Sequence, residues 1–532
     1  MNRREFLATI TGAAAATAAP PGRPNIIVIM ADDMGYSDIG CYGGEVETPN
    51  IDQLAGSGVR FTQMYNTARC CPTRASLLTG LYSHQAGIGR MVGNLGKPAY
   101  QGFLNDNCVT IAEVLRTAGY RTLMAGKWHV GEDRPHWPTD RGFDRYYGLI
   151  SGGTNYFSLD PGRTMALDGE PTKPEGDDFY ITDAFTDYAL RFMDDRKPGQ
   201  PFFLYLPYTA PHWPLHAPEA DVRKYKDRYR MGWDQLRRER HARMVRMGIV
   251  EERWPLSPRH PKVPAWAEVK EKEWEAHRMA VYAAQIDRMD QNIGRVLRKL
   301  REKGEEENTL VIVLADNGGC AEGIDPDFRG LAGKVKTVGG RTVRYGNVPS
   351  VRPGPADTFA SYGLPWANAS NTPFRMYKAV VHEGGIATPL VARWPGRITA
   401  HNRVVAQVGH VIDLMPTCLN AAGATYPKAF GGKPVKPLEG ESLARAFNGR
   451  PFRRRAPLFW EHYGNRAVRD GDWKLVALKG EPWELYDLAA DRTELRGLAQ
   501  TEAARASRMD RMYHAWAKRC GVLTDEELRR RG

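Results

Sequence analysis

Three unbroken apolar runs leave this chain little choice of architecture: Asn25-Ile26-Ile27-Val28-Ile29-Met30, Phe202-Phe203-Leu204-Tyr205-Leu206 and Leu310-Val311-Ile312-Val313-Leu314. Continuous runs of this length, without alternation, predict strands covered on both faces and hence a mainly parallel sheet. Amphipathic segments lie between them. In the clearest, Ile286, Met289, Ile293, Val296 and Leu300 recur at spacings of three and four, with Arg and Lys opposite. Thr182 to Asp195 and Val109 to Ala118 predict shorter helices. The expected fold class is α/β: a large, mixed, mainly parallel sheet sandwiched by helices over residues 21–430. A small C-terminal antiparallel sheet plus a charged helix is expected over 431–532, with strands at Trp473-Lys474-Leu475-Val476-Ala477 and Trp483-Glu484-Leu485-Tyr486. Gly431 to Gly440 reads as the linker.

The 532 residues are 42% apolar and 26% charged, which excludes disordered, collagen-like and coiled-coil chains. No stretch approaches the roughly 18 apolar residues of a membrane span, so no stable membrane insertion is expected. Seven cysteines form no disulfide scaffold, and an odd number leaves one unpaired. The formal charge of +12 favours anionic ligands without naming one, and no nucleic-acid partner is expected. Residues 1–20 stand apart. Arg3 and Arg4 precede Phe6, Leu7 and an Ala-rich run ending in Ala16-Thr17-Ala18. This resembles a twin-arginine signal peptide, which implies export of the folded chain by the Tat translocase to a periplasmic or secreted location. Losing Arg3, Arg4 and Glu5 lowers the positive charge by only one.

Two stretches break the strand and helix rhythm. Asp221 to Trp266 is rich in Arg, Lys, Trp and Pro, and Asp325 to Asn371 in Gly, Pro and Ala. Insertions of this kind tend to wall a pocket. For most arginines of the first, a solvated charged helix is an equally good reading.

Polar clusters follow the strands, where open α/β sheets place their sites. Asp32 and Asp33 come directly after the first run. Adjacent carboxylates repel, and a hard cation between them removes the conflict. Asp316 and Asn317 follow the third run. These four oxygen donors, with no His or Cys among them, suit Ca²⁺ or Mg²⁺ better than Zn²⁺. Cys70-Cys71-Pro72-Thr73-Arg74-Ala75-Ser76-Leu77-Leu78-Thr79-Gly80 predicts a short helix, with Pro72 at its first position and Gly80 as a left-handed cap. Cys70 then lies at the positive helix end, where an anion is welcome.

This undecapeptide resembles the sulfatase signature C-x-P-[ST]-R-x-x-x-x-T-G, in which the first cysteine is oxidised to formylglycine. Cys71 fills the variable position. Gly126-Lys127-Trp128-His129, then Pro211-His212-Trp213-Pro214, then Lys378 before Glu383-Gly384-Gly385, are similar in order and phrasing to the same family. So are Arg141-Gly142-Phe143-Asp144, Thr154-Asn155-Tyr156-Phe157 and Gly471-Asp472-Trp473-Lys474-Leu475. The similarity to bacterial arylsulfatases runs over almost the whole mature chain.

The resemblance implies an alkaline phosphatase-like fold and the hydrolysis of aryl or carbohydrate sulfate esters. Formylglycine made from Cys70 presents a geminal diol. One hydroxyl, on a metal held by Asp32, Asp33, Asp316 and Asn317 together with residue 70, attacks sulfur; Ca²⁺ is favoured over Mg²⁺. Arg74, Lys127 and Lys378 surround the sulfate oxygens. His212, with Lys378, protonates the leaving oxygen, and His129 deprotonates the second hydroxyl to expel sulfate. A formylglycine-generating enzyme is the implied maturation partner. Trp128, Tyr156 and Trp213 are candidates to stack on the substrate. Two alternatives share these residues: a phosphonate monoester or phosphodiester hydrolase of the same superfamily, and a catalytically silent binder of sulfated glycans with unmodified Cys70.

Overall fold

The computed structural model describes residues 22–176, 178–328, 336–450 and 453–530. The leader expected over residues 1–20 lies outside them, as does part of the Gly/Pro-rich stretch, residues 329–335.

All three apolar runs are strands: β1 (Asn25–Ala31), β7 (Phe202–Pro207) and β8 (Thr309–Ala315) are buried at every position. The others numbered here are β2 (Val59–Tyr65), β3 (Arg121–Ala125), β4 (Arg145–Leu149), β5 (Met165–Leu167) and β6 (Glu170–Thr172). They join an eleven-stranded sheet with Ala387–Arg393, Arg403–Val405 and Gly409–His410. Its centre runs β8, β1, β7, β3, β4, all parallel. Ala387–Arg393 enters antiparallel between β2 and β8, and β4, β5 and β6 end the other edge as an antiparallel meander. The sheet is mixed and mainly parallel, as expected.

Alternate residues of β1 feed two cores. Ile27 and Ile29 pack with α1 (Pro49–Gly56), α4 (Ile181–Asp194) and the 31-residue helix Lys272–Glu302, which contains the predicted Ile286 to Leu300 stripe. Ile26, Val28 and Met30 face α2 (Cys70–Thr79) and α3 (Ile111–Thr117). A capping box between Thr110 and Glu113 starts α3 two residues inside the predicted segment.

At the C-terminus, Leu458–His462, Asn465–Asp470, Trp473–Ala477 and Glu484–Asp487 form an antiparallel sheet, and the helix Ala503–Cys520 follows. The expected linker holds a small hairpin, Ala429–Phe430 with Lys433–Pro434.

Candidate active site

Four neighbouring parallel strands, β8, β1, β7 and β3, point their carboxyl ends the same way, so the polar clusters behind them meet at one edge. Asp32 and Asp33 leave β1, Asp316 and Asn317 leave β8, Lys127 and His129 follow β3, and His212 follows β7. Asp33 takes a left-handed backbone conformation, φ +68°, that lets the two adjacent carboxylates diverge. Its N–H donates to Asp316 Oδ1 at 3.1 Å, and Asn317 Nδ2 donates to Asp33 Oδ1 at 2.7 Å.

All four are buried, 0–1% exposed. Lys127 Nζ lies 2.5 Å from Asp32 Oδ2, Arg74 Nη2 lies 2.9 Å from Asp316 and 3.5 Å from Asp32, and Lys378 Nζ meets both Asp33 oxygens at 2.7 and 2.8 Å. Burial pushes the Asp32 carboxyl up, but Lys127, His212 and Arg74 together hold it down at about 2. Burial, with Asp32 as a second negative charge, pushes Asp316 well above the usual carboxylate range. The cations present therefore do not satisfy the whole cluster. Asp32 Oδ1 and Asn317 Oδ1 are buried with no hydrogen-bond partner among the described residues. Two idle oxygens among all-oxygen donors fit a hard divalent cation.

The nucleophile candidate sits beside this centre. Helix α2 begins at Cys70 itself, after an extended Arg69, so Pro72 is its third residue rather than its first. The shift is tolerated because the first four N–H groups of a helix lack intrahelical partners. Gly80 ends α2 at φ +70°, as predicted, and a Cβ there would meet Leu438 at 2.6 Å. One turn after Cys70, Arg74 forks between the Lys127 carbonyl (Nη1, 2.8 Å) and the carboxylates. His129 Nδ1 lies 3.5 Å from Cys70 Sγ and 3.3 Å from Cys71 Sγ. The Cys71 thiol, hydrogen-bonded to Cys70, lowers the Cys70 thiol well below its usual value against the pull of burial, with Lys127 and His129 assisting. Burial raises Cys71. Burial also lowers His129 to about 4, leaving a neutral imidazole at pH 7. His212 Nε2 lies 3.5 Å from Asp33 Oδ2, and its Nδ1 is 2.5 Å from the Trp213 carbonyl, which only Nδ1–H can satisfy.

All ten residues singled out from the sequence converge here. Of the three aromatic candidates for stacking on a substrate, two are buried. Trp128 is fully buried against Phe143, its indole N–H donating to the His136 carbonyl, and Tyr156 is spent on the carbonyls of Thr209 and His212. Only Trp213 is partly exposed, bonded through Nε1 to Glu322 at 3.0 Å. Glu322 also pairs with Arg69 at 2.9 Å. Neither charge carried a sequence signal.

The two irregular stretches act as buttresses. Arg240, fully buried on the helix Gly232–Arg246, binds Asp38 at 2.7 Å and Glu45, and Asp38 receives the Gly35 N–H just past the acidic pair. A solvated helix does not describe this residue. Asn371 Oδ1 accepts the Gly319 N–H at 2.8 Å, bracing the loop that carries Asp316 and Asn317.

Comparison with known proteins points to one family. The family model described as Sulfatase matches residues 24–424, and one described as N-sulphoglucosamine sulphohydrolase, C-terminal, matches residues 374–515. An arylsulfatase from Klebsiella aerogenes is 37% identical over 86% of this chain and all of its own length. An uncharacterized sulfatase from Schizosaccharomyces pombe is 35% identical over 94% of this chain and 95% of its own. The solved structure of Ps i-CgsB in complex with k-i-k-neocarrahexaose superposes with a TM-score of 0.66 at 26% identity, covering 93% of each chain.

Proposed function

This chain belongs to the sulfatase family of sulfuric ester hydrolases, and from that premise we propose that Cys70, converted to formylglycine, is its nucleophile. Asp32, Asp33, Asp316 and Asn317, with residue 70, would hold a divalent cation, Ca²⁺ ahead of Mg²⁺. The observation that carries this reading is the position of Cys70. It opens a helix within one cluster that also contains two idle buried oxygens and three cationic side chains.

A cation bound there would lower the pKa of the attacking hydroxyl that the modified side chain supplies. The remaining chemistry falls to the protein's own groups. Arg74, Lys127 and Lys378 bind the sulfate oxygens and stabilise charge that builds on them. The ion pairs of Lys127 and Lys378 with Asp32 and Asp33 fix both ammonium groups in place beforehand. His212 carries its proton toward the leaving oxygen. Neutral His129 accepts a proton at Nδ1, the atom that faces residue 70.

The substrate is an aryl or carbohydrate sulfate. Arg3 and Arg4 support export by a twin-arginine translocase to the periplasm or beyond, after a formylglycine-generating enzyme has acted. Matched 4-nitrophenyl sulfate and 4-nitrophenyl phenylphosphonate test the substrate class. We expect kcat/KM for the sulfate to be at least about tenfold higher; a preference for the phosphonate would reassign the enzyme within the superfamily.

A further inference from the structure

The C-terminal sheet turns one hairpin toward the site. His462 pairs with Asn465, so Tyr463 and Gly464 alone make the turn, at φ +52° and +87°. A two-residue turn with both φ values positive favours Asn or Gly first, and a tyrosine there is strained. Surrounding bonds hold it. Asn465 Nδ2 donates to the Ala379 carbonyl at 3.0 Å, the Gly464 N–H to Glu461 at 2.7 Å, and the Trp460 indole to the Asn66 carbonyl at 2.7 Å. Ala379 follows Lys378, and its own N–H donates to Ala68, two residues before Cys70. The tip is thus tied to both segments that carry the nucleophile and a sulfate-binding lysine.

Two side chains at this tip have unused binding capacity. His462 is fully buried, yet neither ring nitrogen has a hydrogen-bond partner among the described residues. Such an imidazole is costly unless a ligand completes it. Burial, with Arg69 nearby, keeps it well below the usual histidine range and so neutral at pH 7. Tyr463 is 37% exposed. Arg90 stacks over its ring at 4.9 Å and is itself ion-paired with Asp525, as Arg69 is with Glu322. With both guanidinium charges neutralised, the tip offers a ring face and a neutral imidazole rather than a charge. Arg90 and Gly464, the immediate neighbours of Tyr463, also line a groove of about 910 Å³ together with Trp483 and Tyr513.

Resting on the sulfate-ester reading, we propose that the His462–Tyr463 tip is the subsite for the alcohol part of the ester. Tyr463 stacks on its ring and His462 hydrogen-bonds a ring substituent or the bridging oxygen. The ligand class is therefore a ring-bearing sulfate, aryl or pyranosyl, rather than an acyclic alkyl sulfate.

The test uses two variants of the full-length enzyme. Tyr463→Asn installs a residue the turn prefers, and His462→Phe keeps the ring shape while removing both nitrogens. With 4-nitrophenyl sulfate, Tyr463→Asn is expected to raise KM about tenfold with kcat within about twofold. The inhibition constant of inorganic sulfate, which has no ring, stays unchanged. His462→Phe is expected to move KM in the same direction with the same sulfate control. An unchanged KM in Tyr463→Asn, or equal losses for 4-nitrophenyl sulfate and inorganic sulfate, overturns the subsite. A wild-type enzyme inactive on every sulfate ester overturns the parent reading, and this one with it.

Discussion

At the scale of single residues, two adjacent thiols share one histidine but differ in electrostatic environment. Cys70 is held low by Cys71, Lys127 and His129, whereas Cys71 is raised by burial. Cys70 opens the helix whose Arg74, one turn on, reaches the acidic centre. Cys70→Ala should therefore lower turnover more than about a thousandfold while thermal unfolding changes little, and Cys71→Ala should stay within about threefold of wild type. Steady-state kinetics on purified protein separate the two; an active Cys70→Ala beside a dead Cys71→Ala would reverse the assignment. The four oxygen donors were legible in the sequence because they follow strand ends, and Cys70 and Arg74 because they sit in a dense local motif; Lys127, His129, His212 and Lys378 are each weak alone and were legible through the family resemblance. The aromatic residues were not. Nothing in the local sequences around Trp128, Tyr156 and Trp213 tells a buried ring from an accessible one, and only tertiary packing decides that the first two are buried. Tyr463 was missed for a related reason, since its turn lacks the Asn-Gly pair that marks such a hairpin.

Between elements, a buried ionic cluster joins the C-terminal sheet to the catalytic one. Lys474 on Trp473–Ala477 meets Glu383 at 2.9 Å and Glu494 at 2.8 Å, Arg492 meets Glu383 at 3.0 Å, and Tyr65 on β2 donates to Glu383 at 2.9 Å. Every charged member is fully buried. Removing one partner leaves uncompensated charge, so Lys474→Met should cost about 3–5 kcal/mol in chemical denaturation. Burial pushes the Glu383 carboxyl up, but Lys474, Arg492 and Arg469 hold it at about 2, against 4.5 when free. A depressed folded value means stability present above pH 4.5 and lost as pH falls from 4.5 toward 2. Thermal unfolding of the wild type should show this acid limb, and Lys474→Met should flatten it; an equally steep limb in both would dissociate Glu383 from the effect. Sequence patterning located Trp473–Ala477 and the long helix but not Leu458–His462 or Asn465–Asp470, whose apolar alternation is interrupted by charged and aromatic residues. The start of α2 was misplaced because Pro72 is compatible with any position in a first turn, and the extended Arg69 set the boundary.

At the scale of the whole molecule, one edge of a mainly parallel sheet gathers carboxylates separated by nearly three hundred residues, and the cost of holding them together is met in part by Lys127, Arg74 and Lys378. On the proposed reading, a cation that binds only the folded chain would supply the rest. Chelation should lower both activity and Tm, and Ca²⁺ at about a hundred times its Kd should restore about 2.7 kcal/mol of stability; full activity in a verified metal-free sample would contradict the oxygen-donor site. The most direct measurement is the mass of the peptide carrying position 70, taken from enzyme of known specific activity. Formylglycine at that position, in a fraction that rises and falls with turnover, is the predicted result; a fully active preparation with an intact thiol at Cys70 would contradict it.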